Sequence, residues 1–308
     1  MYPVIFELGP IKLYSFGLMM AVAFMAANYF FVQELKRRKL DESLAWSITI
    51  RALVGGVAGS KLFSILENWS DFTRDPLGNI FSPAGLTFYG GFIVALVLIF
   101  FYLKKHKFPF YNFADMIIPT VLLAYGIGRI GCQLAGDGDY GLPSRLPWAM
   151  AYPQGTAKVT STLPEYFERD SVARAEWHYD SLRVIQTGVD PLGQRITRLD
   201  ETVTVHPAPV YEALFCIIAF FWVWKRQAKY ESQPGKMFYV TLMIMGIERL
   251  LIEFIRLNPL YAGLSQAQWI SVLFIIISIV MLMTKYKGNP PVVEKPLMKT
   301  PTPKAVRA

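Results

Sequence analysis

The sequence predicts an all-α, polytopic membrane protein with seven transmembrane helices. Its N-terminus is expected outside and its C-terminus in the cytoplasm, with a small domain inserted on the outer side between helices four and five. Three observations predict this. Hydrophobic residues make up 53% of the 308 positions and charged residues only 18%, against ~25% charged in an average soluble domain. Several apolar runs approach or exceed the ~20 residues that cross a bilayer as a helix. Lysines and arginines gather in alternate short connections, which is the positive-inside pattern.

That placement also accounts for the formal net charge of +8. It reads as a topology signal with attraction to anionic lipid rather than as a nucleic-acid surface. Two cysteines, Cys132 and Cys216, are too few for a disulfide framework. No CxxC or His/Cys cluster suggests a metal, and no cofactor is expected. Met1 to Leu13 carry no basic stretch ahead of the first apolar run, so that run reads as a retained helix rather than a cleaved signal peptide.

The elements follow in order. Segment one covers about Tyr14 to Val32 and is followed by Lys36, Arg37, Arg38 and Lys39. Segment two covers about Leu44 to Leu66. Its Gly55, Gly56 and Gly59 suit tight helix–helix contact. A polar loop, Glu67 to Ala84, precedes segment three, about Gly85 to Leu103, which ends at Lys104, Lys105 and Lys107. Segment four covers about Phe113 to Ile130. Residues 1–135 are thus membrane helices one to four, and 136–205 form the insertion on the outer side. Segments five (from Pro207), six (from Met237) and seven (from Ala267) fill 206–285. The Pro- and Lys-rich residues 286–308 read as a disordered cytoplasmic tail.

One stretch stands out, Gly126 to Gly141, reading GIGRIGCQLAGDGDYG. It puts Arg129 near the end of a membrane helix, where a charge costs about 2.5–3.5 kcal/mol on insertion scales and is usually functional. Three more features open or close segments on the same predicted face. They are Gly85 to Gly91 with Tyr89, His206 to Glu212, and Glu248-Arg249 with Glu253 and Arg256. Arg249, Glu253 and Arg256 stand at i, i+4 and i+7, on one helical face. An Arg–Glu pair at that spacing also neutralises itself in a bundle, and Arg256 also suits snorkelling. Two guanidiniums, Arg129 and Arg249, suit a bidentate grip on phosphate. Asp137 and Asp139 follow Arg129 closely enough to pair with it or to bind a partner.

These motifs, in this order, resemble the prolipoprotein diacylglyceryl transferase family. The matching pieces are Leu13 to Met19, Gly85 to Gly91, Gly126 to Gly141, His206 to Glu212 and Gly246 to Arg256. The resemblance implies a multi-pass enzyme of the bacterial inner membrane. Such an enzyme transfers the diacylglyceryl group of phosphatidylglycerol to the lipobox cysteine thiol of a preprolipoprotein, forming a thioether and releasing glycerol phosphate. The expected partners are phosphatidylglycerol, the signal peptide with its lipobox cysteine, and membrane lipid. The resemblance makes Arg129 the phospholipid-binding arginine and Arg249 a second essential one. It places Asp137 where the family has a glutamate, makes Gly141 the glycine that ends the motif, and matches Glu253 and Arg256 to the family's charges in segment six.

Four positions depart from the pattern. Tyr89 stands for the usual histidine of the His-Gly-Gly piece, Phe16 and Met245 for tyrosines, and Cys132 for an asparagine. The histidine is the family's proposed base, and a phenol is a weaker base than an imidazole. The expected site is therefore Arg249, Tyr89, Asp137 and Glu253 for catalysis, with Arg129, Arg249, Gly141 and Arg256 holding the phosphate. Tyr89, Asp137, Glu253 and His206 all stand open as proton acceptor. Two other readings stay beside this one. One is a family member using another lipid or acceptor. The other is a non-catalytic lipid-binding or transport protein.

Overall fold

The computed structural model describes residues 2–9, 11–81, 87–137, 139–142, 144, 146–152, 158–159, 172–178, 181–189, 195–199, 204–256, 258 and 260–286. The expected disordered tail lies outside them from residue 287 onward, as do Gly85, Leu86 and much of the inserted segment.

The described chain is mostly helical. Five helical stretches are long and apolar enough to cross a membrane: Ser15–Arg37 (α1), Ser43–Glu67 (α2), Phe110–Ala135 (α6), Ala208–Tyr230 and Gln266–Lys285 (α9). The fourth of these is α7 (Ala208–Gln227) with a 3-10 extension, Ala228–Tyr230. Two further helices, Phe88–Lys105 (α5) and Lys236–Ile252 (α8), have 18 and 17 residues. The polar loop expected after α2 holds two short helices, Trp69–Arg74 (α3) and Pro76–Phe81 (α4). Helix α6 also runs past Ile130 to Ala135, so Arg129 lies within the helix rather than at its end.

The chain is not purely α. Val4–Leu8 (β1) and Ile11–Tyr14 (β2) form an antiparallel hairpin that runs straight into α1. Its turn uses Gly9 at φ 58°, a left-handed backbone that glycine adopts without strain. Alternation over so few residues was too short a signal to separate from the apolar run behind it. The inserted segment contains Lys158–Val159 (β3), Val172–His178 (β4), Ser181–Val189 (β5) and Arg195–Leu199 (β6). Strand β5 is central, antiparallel to β4 and β6 and parallel to β3. A last hairpin, Leu260–Tyr261 (β7) with Leu264–Ser265 (β8), leads into α9. Ser265 caps that helix, accepting from Gln268 N at 3.2 Å while Gln268 Oε1 accepts from Ser265 N at 2.9 Å.

The chain divides into two compact units. One comprises residues 27–117, 232–235 and 291–308. Its core gathers Phe31, Leu35, Leu44, Ile48, Leu103, Phe113 and Met116. Within it α2 and α5 pack at backbone distance, as the small residues of segment two predict. A Cβ on Gly59 would stand 2.5 Å from Gly90 O, so only glycine fits. Glu34 is fully buried, paired with Arg37 at 2.6 Å and Arg38 at 2.5 Å. Arg51 lies over the Tyr102 ring at 3.9 Å and donates to Ser47 O, which neutralises none of its charge but shields it. Trp46, Ile50, Leu53 and Val57 form one exposed helical stripe on α2. Such a stripe is costly in water and favourable against lipid tails.

The other unit comprises residues 1–26, 118–231 and 236–290. The motif glycines Gly126 and Gly131 lie close against α7 and α1. A Cβ on the first would stand 3.0 Å from Cys216 Cβ, and on the second 3.0 Å from Met19 Cβ. Cys132 and Cys216 are buried free thiols. The described residues of this unit include every expected site residue except Tyr89.

Candidate active site

Backbone pairing assembles the site before any side chain does. Gly141 N donates to His206 O at 2.9 Å, Leu142 N to Ile255 O at 2.6 Å, and His206 N to Leu142 O at 2.9 Å. Gly141 and Arg256 form an isolated antiparallel bridge, and Met150 and Val205 another. The segment that leaves α6 is thereby stitched to the entrance of α7 and the exit of α8. Gly141 sits at the tightest point. A Cβ there would stand 2.6 Å from His206 Cβ and 2.9 Å from Ile255 O.

This stitching converges three arginines on one carboxylate. Glu212, one turn into α7 and fully buried, lies 2.8 Å from Arg249 Nη1, 3.2 Å from Arg129 Nε and 3.7 Å from Arg256 Nη1. Tyr125, one turn before Arg129, donates its hydroxyl to Glu212 at 3.0 Å, and the Arg129 guanidinium lies over its ring at 4.9 Å. Arg249 reaches Glu253 at 3.1 Å, and Arg256 approaches the same carboxylate at 3.9 Å. Asn258 donates to Glu253 as well. Asp139 closes the cluster from the connecting segment, with one oxygen on Arg129 and the other on Arg256. Three guanidiniums therefore share three carboxylates, which is how charge survives at low dielectric.

The expected helical face from Arg249 to Arg256 is altered in one respect. Helix α8 stops at Ile252, a 3-10 turn covers Glu253–Ile255, and Arg256 is extended at φ −98° and ψ 159°. The charges still meet because the turn redirects Arg256 towards the bridge with Gly141.

Of the expected residues, Arg129, Arg249, Arg256, Glu253 and Gly141 come together. Asp137 does not stand on the arginines. It is exposed, and its Oδ1 accepts from Asp139 N at 3.3 Å. Asp139 takes the pairing expected of it, because two further residues are needed to reverse the chain from the helix end towards Arg129. Tyr89 stands in the first turn of α5, in the other unit, with its side chain exposed. His206 is half-buried next to Tyr211, whose hydroxyl is 3.3 Å from Nδ1 and accepts from Trp148 Nε1 at 2.7 Å. Burial holds the His206 imidazole below its usual pKa.

Tyr125 gave no signal in the sequence, Asp139 stood open beside Asp137 as a partner of Arg129, and Glu212 and Glu248 lay inside the motifs without an expected role. Glu212 carried a signal, since an acid five residues into an apolar span is functional by default. Glu248 is buried, and its Oε1 has no hydrogen-bond partner among the described residues. For Asp139, burial alone would raise the carboxyl, but Arg256 and Arg129 outweigh it and hold the pKa below the ordinary carboxylate value. Cys132 Sγ and the carboxylates of Asp137 and Asp139 lie within 4.8 Å of one another. The two oxygens of Asp139 already answer guanidinium charge, so this trio does not behave as a cation site.

Comparison with known proteins fits this arrangement. A family model described as prolipoprotein diacylglyceryl transferase matches residues 3–284. The chain is 29% identical over 287 residues to a phosphatidylglycerol–prolipoprotein diacylglyceryl transferase of Clostridium tetani, covering 91% of this chain and 96% of that one. It is 28% identical over 296 residues to phosphatidylglycerol–prolipoprotein diacylglyceryl transferase 2 of Clostridium perfringens, covering 94% and 98%. It is 24% identical over 300 residues to the enzyme of that first name from Erwinia tasmaniensis, covering 94% and 93%. With nearly its whole length matched and the arginine cluster built from the matching motifs, the chain belongs to the prolipoprotein diacylglyceryl transferase family.

Proposed function

We propose that the protein transfers the diacylglyceryl group of phosphatidylglycerol to the lipobox cysteine of preprolipoproteins in the bacterial inner membrane. The observation that carries this is the meeting of Arg129, Arg249 and Arg256 on the buried Glu212, beside membrane-spanning helices and within the family's motifs.

In this reading α5 and α8 also cross the bilayer, giving seven spans. At ~1.5 Å per residue they are about 27 and 26 Å long, close to the ~30 Å apolar core. Basic residues in the last turns of α1, α5, α7 and α9 support a periplasmic N-terminus and a cytoplasmic C-terminus. The arginine cluster then belongs to the periplasmic side, where the peptide's thiol arrives, and lipid enters between helices.

The chemistry follows from charge. The thiol sulfur attacks the glyceryl carbon that bears the phosphate. A carbon–sulfur bond forms, the carbon–oxygen bond to phosphate breaks, and glycerol phosphate leaves with the electron pair. The thiol proton passes to an acceptor, for which Tyr89, Asp137, Glu253 and His206 are the candidates. The phosphate goes from a diester with one negative charge to a monoester approaching two. Guanidiniums already in position stabilise that added charge in the transition state, and Arg129, Arg249 and Arg256 supply them. Glu253 orients Arg249, and Gly141 keeps Arg256 in reach.

The test is incubation of the purified protein with labelled phosphatidylglycerol and a lipobox peptide. A thioether-linked diacylglyceryl peptide is the expected product. Its absence beside an active control enzyme would count against a transferase and leave a lipid-binding role.

A further inference from the structure

We propose that Asp139 is the resident counter-anion of the arginine cluster: it occupies the place of the substrate's phosphate and yields only to a lipid that brings a negative charge of its own. The inference rests on the phosphatidylglycerol reading above and names how that lipid is selected.

Three carboxylates serve the arginines, and they are not equivalent. Glu212 is fully buried on α7, and Glu253 is almost so in the turn after α8. Both belong to helical backbone that cannot withdraw without undoing the bundle. Asp139 is 29% exposed and lies in no helix or strand. Gly136, at φ 64°, releases the chain from α6, and among the described residues an antiparallel bridge is met again at Gly141. Between them, the described contact of the Asp139 backbone N–H is an exposed one, with Asp137 at 3.3 Å. Asp139 is the carboxylate of the three that is free to leave.

Its geometry is also that of a substitute. One oxygen faces Arg129 and the other Arg256. The two non-bridging oxygens of a phosphodiester present the same pair of acceptors, with the same single negative charge. If Asp139 swings out, the three guanidiniums keep Glu212 and Glu253 as ion-pair partners, and Arg129 and Arg256 each lose one. A phosphodiester restores the balance. A neutral diacylglycerol does not, so the exchange is closed to it. The apparent affinity for the anionic lipid is then its intrinsic affinity scaled by the fraction of molecules with Asp139 displaced.

Removing the competing charge should therefore tighten binding. The full-length protein in detergent is titrated with a fluorescent phosphatidylglycerol and, separately, with a diacylglycerol carrying the same fluorescent tails. In Asp139→Asn, phosphatidylglycerol is expected to bind at least about fivefold more tightly, with diacylglycerol unchanged. Equal or weaker phosphatidylglycerol binding overturns the proposal, as does a parallel change for both lipids, because Asp139 would then be only a strut. Hydrogen exchange on the wild type gives an arm that needs no variant. Amides of residues 136–140 should exchange faster with phosphatidylglycerol bound than with diacylglycerol bound, and equal or slower exchange overturns the proposal. Absence of lipid binding in both proteins overturns it too. A wild type that binds phosphatidylglycerol but makes no thioether counts against the transferase reading alone.

Discussion

Glu212 Oε1 lies 2.8 Å from Arg249 Nη1, inside a cluster where the same carboxylate also meets Arg129. The acid comes from α7 and the arginines from α8 and α6, so this pairing fastens three helices at one end. Glu212→Ala leaves the guanidiniums with an uncompensated buried charge. It is expected to destabilise the fold by about 3–5 kcal/mol, read as a lowered melting temperature in detergent, and to abolish transfer. Glu212→Gln keeps the shape and the Tyr125 contact, so it should fold better than the alanine variant while remaining inactive.

Arg129→Ala is expected to reduce transfer by at least about 10²-fold, the scale on which one transition-state donor is lost. Arg129→Lys should rescue little, because an ammonium cannot address Glu212 and Asp139 together as a planar fork does. Initial rates with labelled phosphatidylglycerol check both.

Gly141→Ala forces a methyl to within 2.6 Å of His206 Cβ and 2.9 Å of Ile255 O. One neighbour is backbone and cannot yield, so a loss of about 1–3 kcal/mol is expected. Activity should fall further than stability, since the bridge to Arg256 opens. Comparing the melting temperature with the rate of the same preparation tests that order.

Asp139 has a folded-state pKa below the ordinary value, because Arg256 and Arg129 outweigh its burial. Its contribution to stability is fully present above the unfolded value of ~3.9 and is lost as pH falls through the lower folded value. Melting temperatures recorded from pH 6 downward should therefore drop more steeply in the wild type than in Asp139→Asn, which lacks this titrating contribution.

Tyr89→His restores the imidazole that the family pattern has at that position. If Tyr89 takes the thiol proton, this variant should transfer severalfold faster than wild type, and Tyr89→Phe should be slower. Single-turnover rates separate the effect from lipid binding. A Tyr89→Phe variant with the wild-type rate assigns the proton to another group.

The membrane helices were legible because they depend on local composition. An apolar run of about 20 residues can satisfy its backbone within itself in lipid only as a helix, and α1, α2, α6, α7 and α9 follow from that. The meeting of Arg129, Arg249, Glu253 and Arg256 was legible for a related reason, since a charge in such a run is too costly to stay unpaired. The N-terminal hairpin was hidden, because β1 and β2 offer only a few residues of alternation beside a long apolar segment.

The sequence by itself determined that this is a multi-pass membrane protein with arginines set in its apolar segments and in family motifs. Only the tertiary structure decided which acids answer those arginines. Sequence proximity left Asp137 and Asp139 both open, and the family pattern favoured Asp137. The folded chain selects Asp139 and Glu212 instead, because pairing of Gly141 with His206 and Arg256 turns the segment after α6 back over the helix ends. Which carboxylate meets a guanidinium depends on distances of a few ångströms across three helices, and these are set by long-range backbone pairing that no local spacing encodes.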